Sequence, residues 1–141
     1  MNRKSRLLFV FVMVIISAGF IYSQTSTEPA QENAAGFKIN KLAVGTGVES
    51  RELVGEAQTF PVATEKVFCL LDAAGIASDT QVNFVWFLND KELNRTSQTL
   101  KQGARWRTWV TKNLYQKTGN WKVELQDSTG AVIGTAEFKV E

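Results

Sequence analysis

Near its end the chain runs Trp121-Lys122-Val123-Glu124-Leu125-Gln126, an apolar and polar alternation with a strict period of two. Successive side chains of an extended strand point to opposite faces, so this period fits a strand with one wet face and no helix. Asp127-Ser128-Thr129-Gly130 follows at once, a short turn with glycine where positive φ is needed. A return strand is then predicted to bury Val132, Ala136, Phe138 and Val140, and Gln126 should face water with Lys122 and Glu124.

The same grammar extends backwards. Apolar runs are short, turn residues separate them every dozen or so positions, and no long window keeps a helical period. A first strand is expected within Phe37 to Val48, then an irregular stretch from Leu53 to Glu65 whose Pro61 suits no central ladder. Val67 to Leu71 reads as the second strand, ended by Asp72-Ala73-Ala74-Gly75. Gln81 to Leu88 has Val82, Phe84, Trp86 and Leu88 on one face and Val85 and Phe87 on the other, as in a central strand covered on both sides. Asn89-Asp90-Lys91 turns into a polar strand, Glu92 to Leu100, suited to an exposed edge, and Arg105 to Thr111 forms the next. About seven strands over residues 37–141 predict an antiparallel β-sandwich. Cys69, Trp86 and Gly119-Asn120-Trp121-Lys122-Val123 resemble the cysteine, tryptophan and glycine-x-aromatic-x-cysteine pattern of immunoglobulin-like domains, with Val123 in the second cysteine's place.

Ahead of this domain, Arg3, Lys4 and Arg6 precede a charge-free run from Leu7 to Tyr22. That is the layout of an export signal, and the run is shorter than the roughly 20 residues that cross a bilayer comfortably. Residues 1–23 are read as a cleaved signal or a retained anchor, in which case Leu7 to Tyr22 associates with membrane, and residues 24–36 as a disordered linker without large apolar side chains. The expected location is periplasm or cell surface. Without the three leading basic residues the 16 Lys+Arg fall just below the 14 Asp+Glu, so the basic pI of 8.8 reports the leader and gives no support to a nucleic-acid partner.

Chemistry is narrowed first by what is missing. The sequence has no histidine, which removes Ser-His-Asp and Cys-His nucleophile systems and nearly all zinc sites. Its lone Cys69 lies in an apolar run and reads as a buried structural thiol. The carboxylates sit mostly at turn positions, and neither a phosphate loop nor a calcium loop is present. No catalytic residue, metal ligand or cofactor is therefore expected. Asn94-Arg95-Thr96 is a glycosylation triplet of a kind that chance often produces.

One segment stands out: Arg105-Trp106-Arg107-Thr108-Trp109-Val110-Thr111-Lys112. Alternation puts Arg105, Arg107 and Trp109 on one side and Trp106, Thr108 and Val110 on the other, so one indole is predicted to face the core while the second lies beside two guanidinium groups. With Lys112, the residues Arg105, Arg107 and Trp109 form a candidate contact patch for a glycan or an anionic ligand, since an indole stacks and a guanidinium forks onto carboxylate or phosphate. The structural alternative is a cation–π pair with long stems covering the sheet.

That segment, together with Glu49-Ser50-Arg51-Glu52, Gly119-Asn120-Trp121-Lys122-Val123 and Asp127-Ser128-Thr129-Gly130, resembles the bacterial family called domain of unknown function 2914. The resemblance covers nearly the whole region after the linker. It implies a bacterial envelope protein and brings no catalytic residues with it. Relatives often carry a histidine ahead of the third-strand tryptophan, where this chain has Phe84-Val85. The resulting expectation is a non-catalytic binding or interaction module, or else a scaffold domain that pairs an envelope protein along an edge such as Glu92 to Leu100.

Overall fold

A computed structural model describes residues 36–141. The expected leader 1–23 lies outside them, as does the expected linker 24–36 except for Gly36. Ten strands and no helix are formed among the described residues: β1 Lys38–Gly45, β2 Gly47–Glu49, β3 Glu52–Val54, β4 Thr59–Phe60, β5 Lys66–Ile76, β6 Thr80–Leu88, β7 Lys91–Leu100, β8 Gly103–Asn113, β9 Gly119–Gln126 and β10 Val132–Val140.

They build two main sheets and a small hairpin. One sheet has the order β1-β5-β8, the other β4-β10-β9-β6-β7, and β2 pairs with β3 alone. All pairings are antiparallel except that of β4 with β10. The apolar faces of the two sheets meet in one core, to which β5 brings Val67, Cys69, Leu71 and Ala73, β6 brings Val82, Phe84 and Trp86, and β9 brings Trp121, Val123 and Leu125. Burying such a face against a second sheet is what lets short, half-apolar strands persist.

Strand β6 is central, as its two apolar faces require. Its inner residues sit directly across from those of β9, with Phe84 opposite Leu125, Trp86 opposite Val123 and Leu88 opposite Trp121. Cross-strand aromatic and aliphatic pairs of this kind are the unit of sheet stabilisation. On the other face Val85 is fully buried, and the Lys122 ammonium lies 4.7 Å from the centroid of the Phe87 ring. Phe138 of β10 ties the end of the core together. It meets Trp121 in a stacked arrangement at 5.8 Å, Phe60 edge-on at 5.5 Å and Trp86 edge-on at 6.4 Å. Cys69 is fully buried, and burial pushes its thiol up to about 12, so it stays protonated and inert.

Turn chemistry follows the residues. Asn89 and Asp90 adopt φ of 48° and 66°, the left-handed pair that a tight hairpin needs, and Asn89 Oδ1 also accepts the Asn120 backbone N–H at 3.0 Å. In the last hairpin Asp127 Oδ1 accepts the backbone N–H groups of Thr129 at 2.9 Å and Ala131 at 3.0 Å, and Gly130 has φ of 88°.

Three local expectations are corrected. Asp72-Ala73-Ala74-Gly75 does not end the second strand: β5 continues to Ile76, because it lies between β1 and β8 and both ladders hold it extended. Val132 is exposed, since a register shift between Val132 and Gly134 moves the phase by one and packs Ile133 against the core instead. Gln126 is buried, covered by Arg95 of β7, whose Nη1 donates to Gln126 Oε1 at 3.3 Å.

Candidate functional site

Along β5 the odd positions Cys69, Leu71 and Ala73 enter the core, so Leu70, Asp72 and Ala74 point to the outer face of the three-stranded sheet. Across the ladder, Leu70 pairs with Trp109, Asp72 with Arg107 and Ala74 with Arg105. Arg105, Arg107 and Trp109 therefore share the outer face, in line with the alternation. Lys112 does not join them: it pairs with Val67, a core residue, and so belongs to the opposite side of β8.

The two arginines converge on Asp72. Arg105 donates from Nε to Asp72 Oδ1 at 3.0 Å and from Nη2 to Asp72 Oδ2, a two-pronged fork. Arg107 brings its Nε to 3.4 Å from Asp72 Oδ2, and its Nη1 donates to Glu52 Oε1 at 2.8 Å and toward the Arg51 carbonyl at 3.4 Å. The β2–β3 hairpin, which carries Arg51 and Glu52 at its tip, thus folds over the sheet and closes an ion network across three segments of chain. Hydrogen bonding from Arg105 holds the Asp72 carboxyl below the usual carboxylate range, against burial, which raises it; Arg105's charge, the Asn40 side chain and the Arg107 charge add to the lowering. The same bonds raise Arg105 further, so its guanidinium remains charged throughout.

What remains open is specific. The Arg105 side chain is 54% exposed and Arg107 only 20%. Asp72 engages Arg105 through Nε and Nη2 and so fixes the plane of the guanidinium, while Nη1 makes no hydrogen bond among the described residues. Trp109, two positions past Arg107 on the same face, is 37% exposed. Trp106, predicted to enter the core as the inner-face indole, is 36% exposed. It stands on β8, an edge strand with a neighbour on one side only, so nothing beyond it completes the cover. Val110, on the same side further along, is the β8 residue that is buried.

Alternation along β8 marks neither Asp72 nor Glu52. An acid in the run Val67-Phe68-Cys69-Leu70-Leu71-Asp72-Ala73-Ala74 is the signal that points to Asp72, because a strand that continues through it must supply a cation. Nothing local marks Glu52. Among the described residues, no group of histidine, cysteine, aspartate and glutamate has the arrangement to hold a metal ion, and no helix is long and apolar enough to cross a membrane.

The segment from β6 to β10 carries a likeness to a known family. Residues 79–140 match the model of the family described as Protein of unknown function (DUF2914). The DUF2914 match contains the Arg105 to Lys112 segment, the Gly119 to Val123 segment and the Asp127 to Gly130 turn, while Asp72 and Glu52 lie ahead of it. The resemblance read from Glu49 onward is thus matched from Asp79 only. No curated protein matches this chain. Among solved structures, similarity is found to a mutant beta-glucosidase from Listeria innocua in complex with laminaribiose, at 10% identity and a TM-score of 0.47 over 74% of this chain and 16% of that one. A beta-glucosidase from Kluyveromyces marxianus in complex with glucose is similar at 12% identity and a TM-score of 0.46 over 77% of this chain and 14% of that one. The chain therefore spans a small part of those proteins.

Proposed function

We propose that this chain is a non-catalytic, extracytoplasmic binding module of the bacterial envelope with an immunoglobulin-like sandwich, and that it meets an anionic or acidic-glycan ligand on the outer face of β8. The observation that carries the reading is an exposed guanidinium, Arg105, oriented by a buried carboxylate, with the exposed indole of Trp109 further along the same face of β8. A fork held in one orientation loses little freedom when it binds, and an indole on the same strand face supplies a stacking surface. The immunoglobulin-like assignment is supported by Cys69, Trp86 and Val123 sharing one core. Export is supported by the charge-free run from Leu7 to Tyr22 behind Arg3, Lys4 and Arg6. The absence of histidine from the sequence supports a role without acid–base or nucleophilic chemistry.

Calorimetric titration with tetragalacturonate tests the ligand class. Arg105→Gln and Trp109→Ala should each weaken binding about tenfold, the loss expected for one good contact. Arg105→Lys should weaken it as well, because a lysine cannot hold the two-pronged bond to Asp72 and present a donor outward at once. Unaltered binding in Arg105→Gln would sink the reading. Cell fractionation with and without Leu7 to Tyr22 tests export.

A second reading, a scaffold domain for a larger assembly, is favoured by β7. That strand pairs only with β6 and leaves its other edge open from Lys91 to Leu100. Lys91, Glu92 and Arg95 on it are the charged residues that keep an edge from pairing freely, which places this reading behind the first.

A further inference from the structure

A groove of about 580 Å³ opens where the segment Ala63 to Glu65 enters β5 and the chain leaves β8 through Asn113, Tyr115 and Gln116. Arg105 lies at the other end of β8, roughly 26 Å along an extended strand from Asn113. The groove is thus separate from the Arg105 and Trp109 surface.

Its most prominent wall is Tyr115, which at 69% exposure is the most exposed of the large hydrophobic side chains among the described residues. The backbone that presents it is held firmly. Leu114 is fully buried and its N–H donates to the Glu65 carbonyl at 2.8 Å, the Lys117 N–H donates to the Leu114 carbonyl at 3.0 Å, and the buried Trp121 donates from Nε1 to the Lys117 carbonyl at 3.0 Å.

Within this firm frame the residue choice is costly. Tyr115 and Gln116 have φ of 50° and 58°, a left-handed pair. The Asn89–Asp90 turn solves the same backbone problem with the two residue types that tolerate it best, and uses the Asn89 side chain to bind Asn120. Tyr115 and Gln116 are poorly suited to that conformation, and their side chains make no hydrogen bond among the described residues. Backbone strain kept for side chains that the fold does not use points outward, to a ligand.

The lining names the ligand's chemistry. An aromatic ring offers a stacking face for a ring of C–H groups, the Asn113 and Gln116 amides both donate and accept, and Thr64 adds a hydroxyl. Among the lining residues there is one carboxylate, Glu65, and no cation, a set that favours a hydroxyl donor over an anion. We propose that this groove is a subsite for a neutral saccharide, with Tyr115 stacking on a sugar ring and Asn113, Gln116 and Glu65 bonding its hydroxyls.

The test is a titration of the isotopically labelled full-length chain with the neutral tetrasaccharides cellotetraose and chitotetraose, followed by amide spectra. Saturable shifts centred on Glu65, Asn113 and Gln116 are expected with at least one of them. Tyr115→Ala should then weaken binding about tenfold, the scale of one lost stacking contact, while Tyr115→Phe keeps most of it. Tyr115→Gly, whose backbone takes φ near +50° freely, should retain its melting temperature and lose binding equally, which separates a lost contact from a lost fold. No saturable shift with either sugar, binding by Tyr115→Ala equal to the unaltered chain, or equal shifts with tetragalacturonate would each overturn the proposal. Shifts confined to Arg105 and Trp109 would overturn it too, while leaving the β8 surface as the binding face.

Discussion

Four tryptophans divide into two pairs with opposite fates. Trp86 and Trp121, on the adjacent central strands β6 and β9, are sealed in the core, whereas Trp106 and Trp109 on β8 stand more than a third exposed. Trp109 lies on the outer face of its sheet, but Trp106 stands on the inward side of β8 as Trp86 and Trp121 stand on the inward sides of their strands. What differs is the place of the strand: β6 and β9 have neighbours on each side and a facing sheet, while β8 is the open edge of the smaller sheet. An indole is interior where cover arrives from every direction, and it becomes a surface feature where one side is missing.

Removing a core member of the set should do the most harm. Trp86→Ala is expected to cost about 3 to 5 kcal/mol, read from the urea midpoint at unchanged m-value, because a large cavity opens among Val123, Leu125 and Phe138. A loss near that of the β8 indoles would break the comparison.

Next in size is Asp72→Ala, at about 2 kcal/mol, since two guanidiniums lose a shared carboxylate that makes charge-assisted bonds. It carries a pH signature. Asp72 titrates below its ordinary value in the folded chain, so its stabilisation is present above the unfolded carboxylate pKa of about 3.9 and is lost as pH falls through the lower folded value. Asp79, lowered chiefly by the Gln102 backbone N–H, and Asp127, lowered chiefly by the Thr129 side chain, act with the same sign. Thermal melts below pH 4 should therefore show a shallower acid loss in Asp72→Ala than in the unaltered chain; identical slopes would remove the ion network from the account.

Trp106→Ala and Trp109→Ala should each cost only about 1 kcal/mol, in keeping with partial cover on an edge strand. Acrylamide quenching should reach two indole populations, and loss of the accessible one in the double variant sharpens the assignment. Smallest of all is Lys112→Gln, within about 0.5 kcal/mol, and without effect on tetragalacturonate binding because Lys112 lies across the sheet from Arg105. A binding loss there would restore the four-residue patch that the sequence suggested.

Much of the architecture is legible one strand at a time. The β9–β10 hairpin, the central character of β6 and the polar β7 edge follow from alternation and turn residues within a dozen positions. The misreadings have a common origin. Asp72-Ala73-Ala74-Gly75 looks like a stop when read alone, yet β1 and β8 hold it extended. Val132 shifts out by a bulge opposite Gln126. The site is half legible: Arg105, Arg107 and Trp109 share a face as alternation requires, but the partners Asp72 and Glu52 lie 33 and 55 positions away from their arginines, beyond any local window.

By itself the sequence determined the strand class, the turns and which faces are apolar, because each depends on the chemistry of neighbouring residues and a period of two. Tertiary structure alone decided which strands became edges, how far β5 runs, and which charges meet over the outer sheet. Those outcomes depend on the register between segments distant in the chain, and register is set by the packed sheets together and by no single stretch of residues.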